Sequence, residues 1–218
     1  MKKELIIFDV CNTLYDSNTT FDFIRFVLKK NPGKLFYLNA LTKKFSPFFI
    51  GWTLLGKIKQ RDIVRARSIA LLKGIRKQEL LHLAEDFFHG YLKRREITDV
   101  LRLLEEKKPE HDVWLFSNSV EPVIQVIAKY LNVNYEATQL EYDDNNVFTG
   151  NIQRDLSGQK QNAFTSRFGK GVAIKMMCTD NKSDHEILKL AKKAIVVVYK
   201  PSDKKFWRSL NPEFIEKF

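Results

Sequence analysis

Apolar runs that stop abruptly on polar residues punctuate the chain: LIIFDV from Leu5, DVWLFSNS from Asp112, GVAIKMMCTD from Gly171 and AIVVVYKP from Ala194. Each has the length and the β-branched or aromatic content of a strand buried on both faces. Between the later runs the apolar spacing changes to three or four residues, in VEPVIQVIAKYL (120–131) and SDHEILKLAKKA (183–194), which predicts helices. Strand and helix patterns in alternation predict an α/β, three-layer, Rossmann-like domain with a central parallel sheet and a ligand site at the carboxyl ends of the strands. Asp9, Ser117 and Asp180 stand at such ends.

From about Ser17 to Glu96 no strand pattern occurs. FDFIRFVLKK, RDIVRARSIALLKG and KQELLHLAEDFFHGYLKRR instead carry helical periodicity. The reading is an α/β domain made of 1–16 and 97–218, with a helical domain, 17–96, inserted after the first strand. YEATQLEYDDNNVFTGNI alternates like strand around the turn-forming cluster DDNN and reads as a β-excursion near the sheet.

Composition narrows the partners more than the fold. A formal net charge of +11 favours anionic ligands: phosphate esters, nucleic acid or an acidic membrane surface. No zinc-ligand spacing or RNP-like string accompanies the basic residues, so nucleic acid is not the expected partner. The apolar run after MKKE ends at Asp9, too early for a signal peptide, and the expectation is a cytoplasmic protein. Cys11 and Cys178 read as free thiols rather than a disulfide framework.

The strings D-V-C-N-T-L, L-F-S-N-S, G-Q-K and T-D-N-K-S-D, in that order, resemble the four motifs of the haloacid dehalogenase superfamily, in its phosphoserine-phosphatase-like branch with a helical cap after the first motif. The resemblance implies a phosphomonoesterase in which Asp9 attacks phosphorus and becomes an aspartyl phosphate. It implies Mg²⁺ held by Asp9, Asp180 and the main-chain carbonyl of Cys11, with Asp184 orienting a metal-bound water. Lys160 would neutralise the transferring group, Ser117 and the Asn118 N–H would bind phosphate oxygens, and Thr13 would support the nucleophile loop.

Family phosphatases carry a second aspartate two residues after the nucleophile, as acid and base. This chain has Cys11 there, followed by Asn12, and has Thr179 before Asp180 where glycine is common. Carboxylates and phosphate nearby should raise the thiol above its ordinary ~8.5, which leaves it protonated at neutral pH. Three readings stay open: a slow phosphatase, a relative attacking something other than a phosphate ester, or a catalytically impaired phosphate-binding protein. A redox pairing of Cys11 with Cys178 is a fourth, minor idea.

The cap segment KLFYLNALTKKFSPFFIGWTLLGKIK is aromatic and apolar with interspersed lysines. Its uncharged run from Phe45 to Gly56 is shorter than the ~20 residues that span a bilayer, and Pro47 is expected to break it. Packing as cap core is the favoured expectation. The other is peripheral contact with an anionic membrane, on the inner face, which would suit a lipid-phosphate rather than a small-molecule substrate. Lys182, between the acidic residues of the last motif, reads as solvent-facing.

Overall fold

The computed structural model describes residues 4–44, 46–59 and 62–218. Among these, strands β1 (Leu5–Phe8), β2 (Asp112–Val120), β3 (Asn134–Tyr142), β4 (Phe148–Arg154), β5 (Ile174–Thr179), β6 (Ala191–Val198) and β7 (Glu213–Glu216) form one sheet in the order β4-β3-β2-β1-β5-β6-β7. Neighbours run parallel except β3 and β4. This is the α/β, Rossmann-like architecture that the alternating pattern predicts.

Strand side chains alternate between two hydrophobic clusters, because successive residues of a strand point to opposite faces. Ile6, Phe8, Leu115, Met176 and Val197 enter one cluster; Leu5, Ile7, Phe116, Met177 and Val198 enter the other. Both faces are therefore covered, which is why these strands are nearly continuous in apolar residues.

Helices α1 (Thr19–Leu28), α2 (Pro32–Thr42), α3 (Pro47–Lys59), α4 (Ile63–Ala70), α5 (Lys77–Gly90) and α6 (Thr98–Lys107) lie between β1 and β2 in the chain. Asn18, Asn31 and Asp62 start α1, α2 and α4, each accepting a backbone N–H with its side chain, a cap worth about 1 kcal/mol. Phe23 and Ile24 of α1, Leu38 of α2 and Leu80, Ala84 and Phe87 of α5 join the same cluster as Ile6 and Phe8. The helical segment thus shares its core with one face of the sheet. Helix α7 (Glu121–Leu131) completes that layer; α8 (Lys160–Phe168), α9 (His185–Leu188) and α10 (Lys204–Trp207) supply residues to the other cluster.

Several local expectations need correction. SDHEILKLAKKA is helical only over its first half, a 3-10 turn through Asp184 followed by the α-helix His185–Leu188, and β6 begins at Ala191, where Ala191, Lys193 and Ala194 already pair with β5. Pairing of the β-branched run Ile195–Val198 with β5 and β7 overrides the helical spacing of the lysines. The β-excursion is not beside the sheet but within it: β3 pairs parallel with β2, and β4 returns antiparallel as an edge strand. Its turn forms where expected, with the Asp143 carboxylate accepting the N–H groups of Asn145 and Val147. Pro47 does not interrupt a helix but sits in the first turn of α3, where its missing N–H costs nothing. The C-terminal α10 and β7, too short to show a period, escape pattern reading.

Candidate active site

Strand β1 ends at Phe8, and the chain then turns so tightly that the Val10 carbonyl accepts the N–H groups of Thr13, Leu14 and Tyr15. Asn12 adopts a left-handed conformation (φ 50°) in this turn. Asparagine is among the few non-glycine residues that do so readily, which accounts for Asn12 at a position where glycine is common. Asp9 leaves the end of β1 nearly fully buried, its N–H bonded to the Cys178 carbonyl of β5 at 2.9 Å.

Lys160, the first residue of α8, reaches across to this end of the sheet. Its buried ammonium donates to Asp9 Oδ1 at 2.6 Å and to Asp184 Oδ2 at 2.7 Å. Asp184 also accepts the Thr179 hydroxyl at 2.8 Å. Threonine, where glycine is common, therefore helps to hold the carboxylate that holds the lysine. The Thr13 hydroxyl lies between two carboxylates, 3.1 Å from Asp180 Oδ1 and 3.4 Å from Asp9 Oδ2, and accepts the Asp180 N–H at 3.0 Å. Asp9, Thr13, Lys160, Asp180 and Asp184, far apart in the sequence, thus form one hydrogen-bonded cluster.

Burial dominates the electrostatics. It raises the Asp9 carboxyl above its ordinary range against the opposing pull of Lys160. Asp180 is pushed up to about 8, by burial first and by the neighbouring Asp9 charge second. Burial alone would lower Lys160, but Asp184 and Asp9 outweigh it and hold the ammonium well above its usual value. The Cys11 thiol is pushed up to about 11 by burial and by Asp9, although the Thr19 hydroxyl, 2.8 Å from Sγ, opposes the shift. Cys178 is fully buried and driven upward for the same reasons. Both cysteines are free.

Ser117 is fully buried within β2, which runs on to Val120 rather than ending at the serine as the apolar run predicts, and its hydroxyl accepts the Ser119 N–H at 3.1 Å. Asn118 lies on the wall of a cavity of about 220 Å³ that opens onto Asp9, Cys11 and Asp180. The helical segment closes that cavity with Asn18 and Phe21 from the start of α1, and with Asp62 and Arg65 from the start of α4. Lys182 is turned away, with its ammonium 3.1 Å from Asp203.

Arg65 is the residue that sequence reading missed. Only 4% exposed, it grips Asp155 through two 2.9 Å bonds, donates to Thr138 Oγ1 at 2.9 Å, and also donates to the Asn118 carbonyl. One side chain of α4 thereby ties together β2, β3 and the loop after β4, all beside the cavity. Among the described residues its Nε has no hydrogen-bond partner. The signal was present: Arg65, Ser68, Ile69 and Leu72 fall on one buried helical stripe, and an arginine on such a stripe needs a partner.

No three His, Cys, Asp or Glu side chains among the described residues converge closely enough to cage a metal by themselves. The carboxylates of Asp9 and Asp180, joined through Thr13, are the available oxygen donors.

Comparison with known proteins follows the same outline. A protein of unknown function from Bordetella pertussis Tohama I superposes with a TM-score of 0.72 at 16% identity, over 100% of both chains. A substrate-bound phosphoserine phosphatase gives 0.63 at 19%, over 100% of this chain and 94% of that one. A phosphoserine phosphohydrolase-like protein from Francisella tularensis SCHU S4 gives 0.62 at 20%, over 99% and 95%. No curated protein matches in sequence. At these identities the likenesses establish a shared fold. The model of the haloacid dehalogenase-like hydrolases matches residues 6–189, the stretch that holds every residue of the cluster, and the chain belongs to that family.

Proposed function

We propose that this chain is a Mg²⁺-dependent phosphomonoesterase that transfers the phosphoryl group of a small or lipid-linked ester to Asp9. The observation that carries the reading is the buried bridge from Asp9 through Lys160 to Asp184, with Asp180 joined to Asp9 by the Thr13 hydroxyl. Three carboxylates stand near one ammonium, so the ionised cluster has an excess of negative charge; burial first, and the neighbouring carboxylates after it, raise Asp9 and Asp180. An oxygen-preferring divalent cation fits such a donor set. Asp9, Asp180 and the Cys11 carbonyl would hold it, and it would supply the positive charge that lets a carboxylate approach a phosphate dianion.

In this reading a carboxylate oxygen of Asp9 bonds to phosphorus as the bond to the ester oxygen breaks. Lys160 screens the charge on Asp9. Ser117 accepts the Ser119 N–H and so keeps its own proton to donate to a phosphate oxygen. The segment 17–96 is the cap that selects the leaving group, through the α1 and α4 residues on the cavity wall. Cys11, neutral at physiological pH, is a weak acid for the leaving oxygen and no base for the water that must cleave the aspartyl phosphate. Positioned acid–base help is worth roughly 10² to 10⁴ in rate, so the second step limits turnover.

A second reading, a catalytically impaired phosphate-binding protein, is favoured by one observation: the Cys11 thiol is held by Thr19 and stays protonated. Phosphate release from a broad panel of esters with Mg²⁺, by wild type, Asp9→Asn and Cys11→Asp, separates the two. The phosphatase reading expects slow wild-type turnover, none from Asp9→Asn, and a gain of up to about 10² to 10⁴ from Cys11→Asp. Turnover that survives Asp9→Asn would sink it. A silent wild type with an active Cys11→Asp supports the impaired protein.

A further inference from the structure

From Phe23 to Arg61 the chain contains nine lysines and arginines and not one aspartate or glutamate. This stretch spans α2 and α3, and it includes most of the protein's excess positive charge of +11. Helix α3 carries no charged residue from Pro47 to Gly56. A helix apolar on every side is ordinarily buried. Here Phe48 (52%), Ile50 (46%) and Leu54 (57%) instead face solvent together with Pro47 and Gly51, and Phe36 on α2 is 77% exposed. The two helices are joined at this face, with the rings of Tyr37 and Phe48 6.3 Å apart edge to face. Lys43 and Lys44, in the connection between the two helices, are exposed, as are Lys29, Lys30 and Lys34 at the start of the same stretch, where the Lys34 ammonium donates to the Leu71 carbonyl.

From this arrangement we infer that the α2–α3 hairpin is a docking surface for an anionic lipid bilayer. An exposed apolar face bordered by lysines matches the interface between acyl chains and negatively charged headgroups, with the apolar side chains entering and the ammonium groups at the phosphates. Helix α3, about 20 Å long at 1.5 Å per residue, is too short to cross the hydrocarbon core and lies in its surface. A second copy of this chain fits less well, because it would bring an equally basic, acid-free stretch against this one. Asp62 and Arg65, on the wall of the cavity at Asp9, follow the end of α3 closely in the sequence. The inference is nevertheless independent of the reaction at Asp9.

The test is sedimentation of the full chain with vesicles of phosphatidylcholine alone or mixed with phosphatidylglycerol, at low ionic strength and at about 0.15 M salt. Wild type should bind the anionic vesicles, more weakly as salt rises, and leave neutral vesicles alone. Lys43→Gln/Lys44→Gln should lose about 25-fold in partitioning, about fivefold per lysine. Phe48→Ser/Ile50→Ser/Leu54→Ser keeps every charge and removes half-exposed apolar groups together with the Phe48–Tyr37 ring contact; circular dichroism checks that it folds, and it should lose at least about tenfold. Failure of wild type to bind anionic vesicles at low salt overturns the inference. So does undiminished binding by the triple serine variant. A wild-type dimer that the same variant makes monomeric, with no vesicle binding, would assign the face to a second copy instead.

Discussion

The carboxyl end of the sheet and the α2–α3 hairpin depart from ordinary burial in opposite directions. At the sheet end, Asp9, Lys160 and Asp184 are each no more than 3% exposed, and their charges meet within 2.7 Å. At the hairpin, phenylalanine, isoleucine and leucine are half exposed, and the nearby lysines Lys43 and Lys44 are in solvent. Burying ions costs several kcal/mol each unless partners compensate, so the sheet end holds together only as a set. Exposing a phenyl ring costs little in the folded state, because most of its loss is forgone burial. Removing one member should therefore be severe in the first region and nearly silent for stability in the second.

The sharpest way to break that contrast is Lys160→Met. It strands two buried carboxylates, and losing one partner of a buried ion pair costs about 3–5 kcal/mol. Urea unfolding should show that loss together with the loss of any phosphate release. A change below about 1 kcal/mol would mean that the cluster is not stabilised by its lysine.

Next in size is a coupling between metal and pH. The Asp180 carboxyl is raised to about 8 in the folded state, so the folded chain keeps a proton that the unfolded chain gives up at ordinary carboxylate values. Stability from this group is fully present below about pH 4 and is lost as pH rises through about 8. A divalent cation needs the ionised form and competes with that proton. Melting temperatures in chelator and in Mg²⁺ should diverge as pH rises from 5.5 to 8.5, the expected gain being about 2.7 kcal/mol at a hundredfold excess over Kd. Asp180→Asn should remove the divergence, and a Mg²⁺ increment flat with pH would contradict the assignment.

Arg65→Met tests the border between the two regions, since Arg65 belongs to the helical segment but bonds to the sheet end. It should cost about 2 kcal/mol, because the Asn118 carbonyl and Thr138 lose a buried donor while the half-exposed Asp155 regains water. KM should rise more than kcat falls if Arg65 shapes the cavity wall; unchanged kinetics would make its role purely structural. Smallest of all is the hairpin: Leu54→Ser should shift the unfolding free energy by no more than about 0.5 kcal/mol. A larger loss would show that this face is packed in solution.

Much of the sheet and part of the site were legible because their signals are local. The apolar runs marked β1, β2, β5 and β6, and Asp9 and Asp180 directly follow the ends of β1 and β5, where parallel strands deliver polar groups to a ligand, whereas Ser117 lies three residues inside the end of β2. The order of short motifs supplied Lys160 and Asp184. Legibility failed where neighbours in space decide: the lysines opening β6 are helical in spacing yet paired with β5, and β3 lies within the sheet because β2 offers it an open edge. Core packing was the favoured expectation for the cap's aromatic segment, yet on α3 Phe48, Ile50 and Leu54 face solvent.

By itself the sequence determined the alternation of strand and helix, the basic balance and the identity of the groups that can carry chemistry, since these depend on residue type and spacing. Only the tertiary structure decided which charges share a proton environment, that Arg65 reaches Asp155 across 90 residues, and which face of an apolar helix is left in water. The reason is physical: hydrogen bonds and desolvation act over a few ångströms, and distance in space is not distance along the chain.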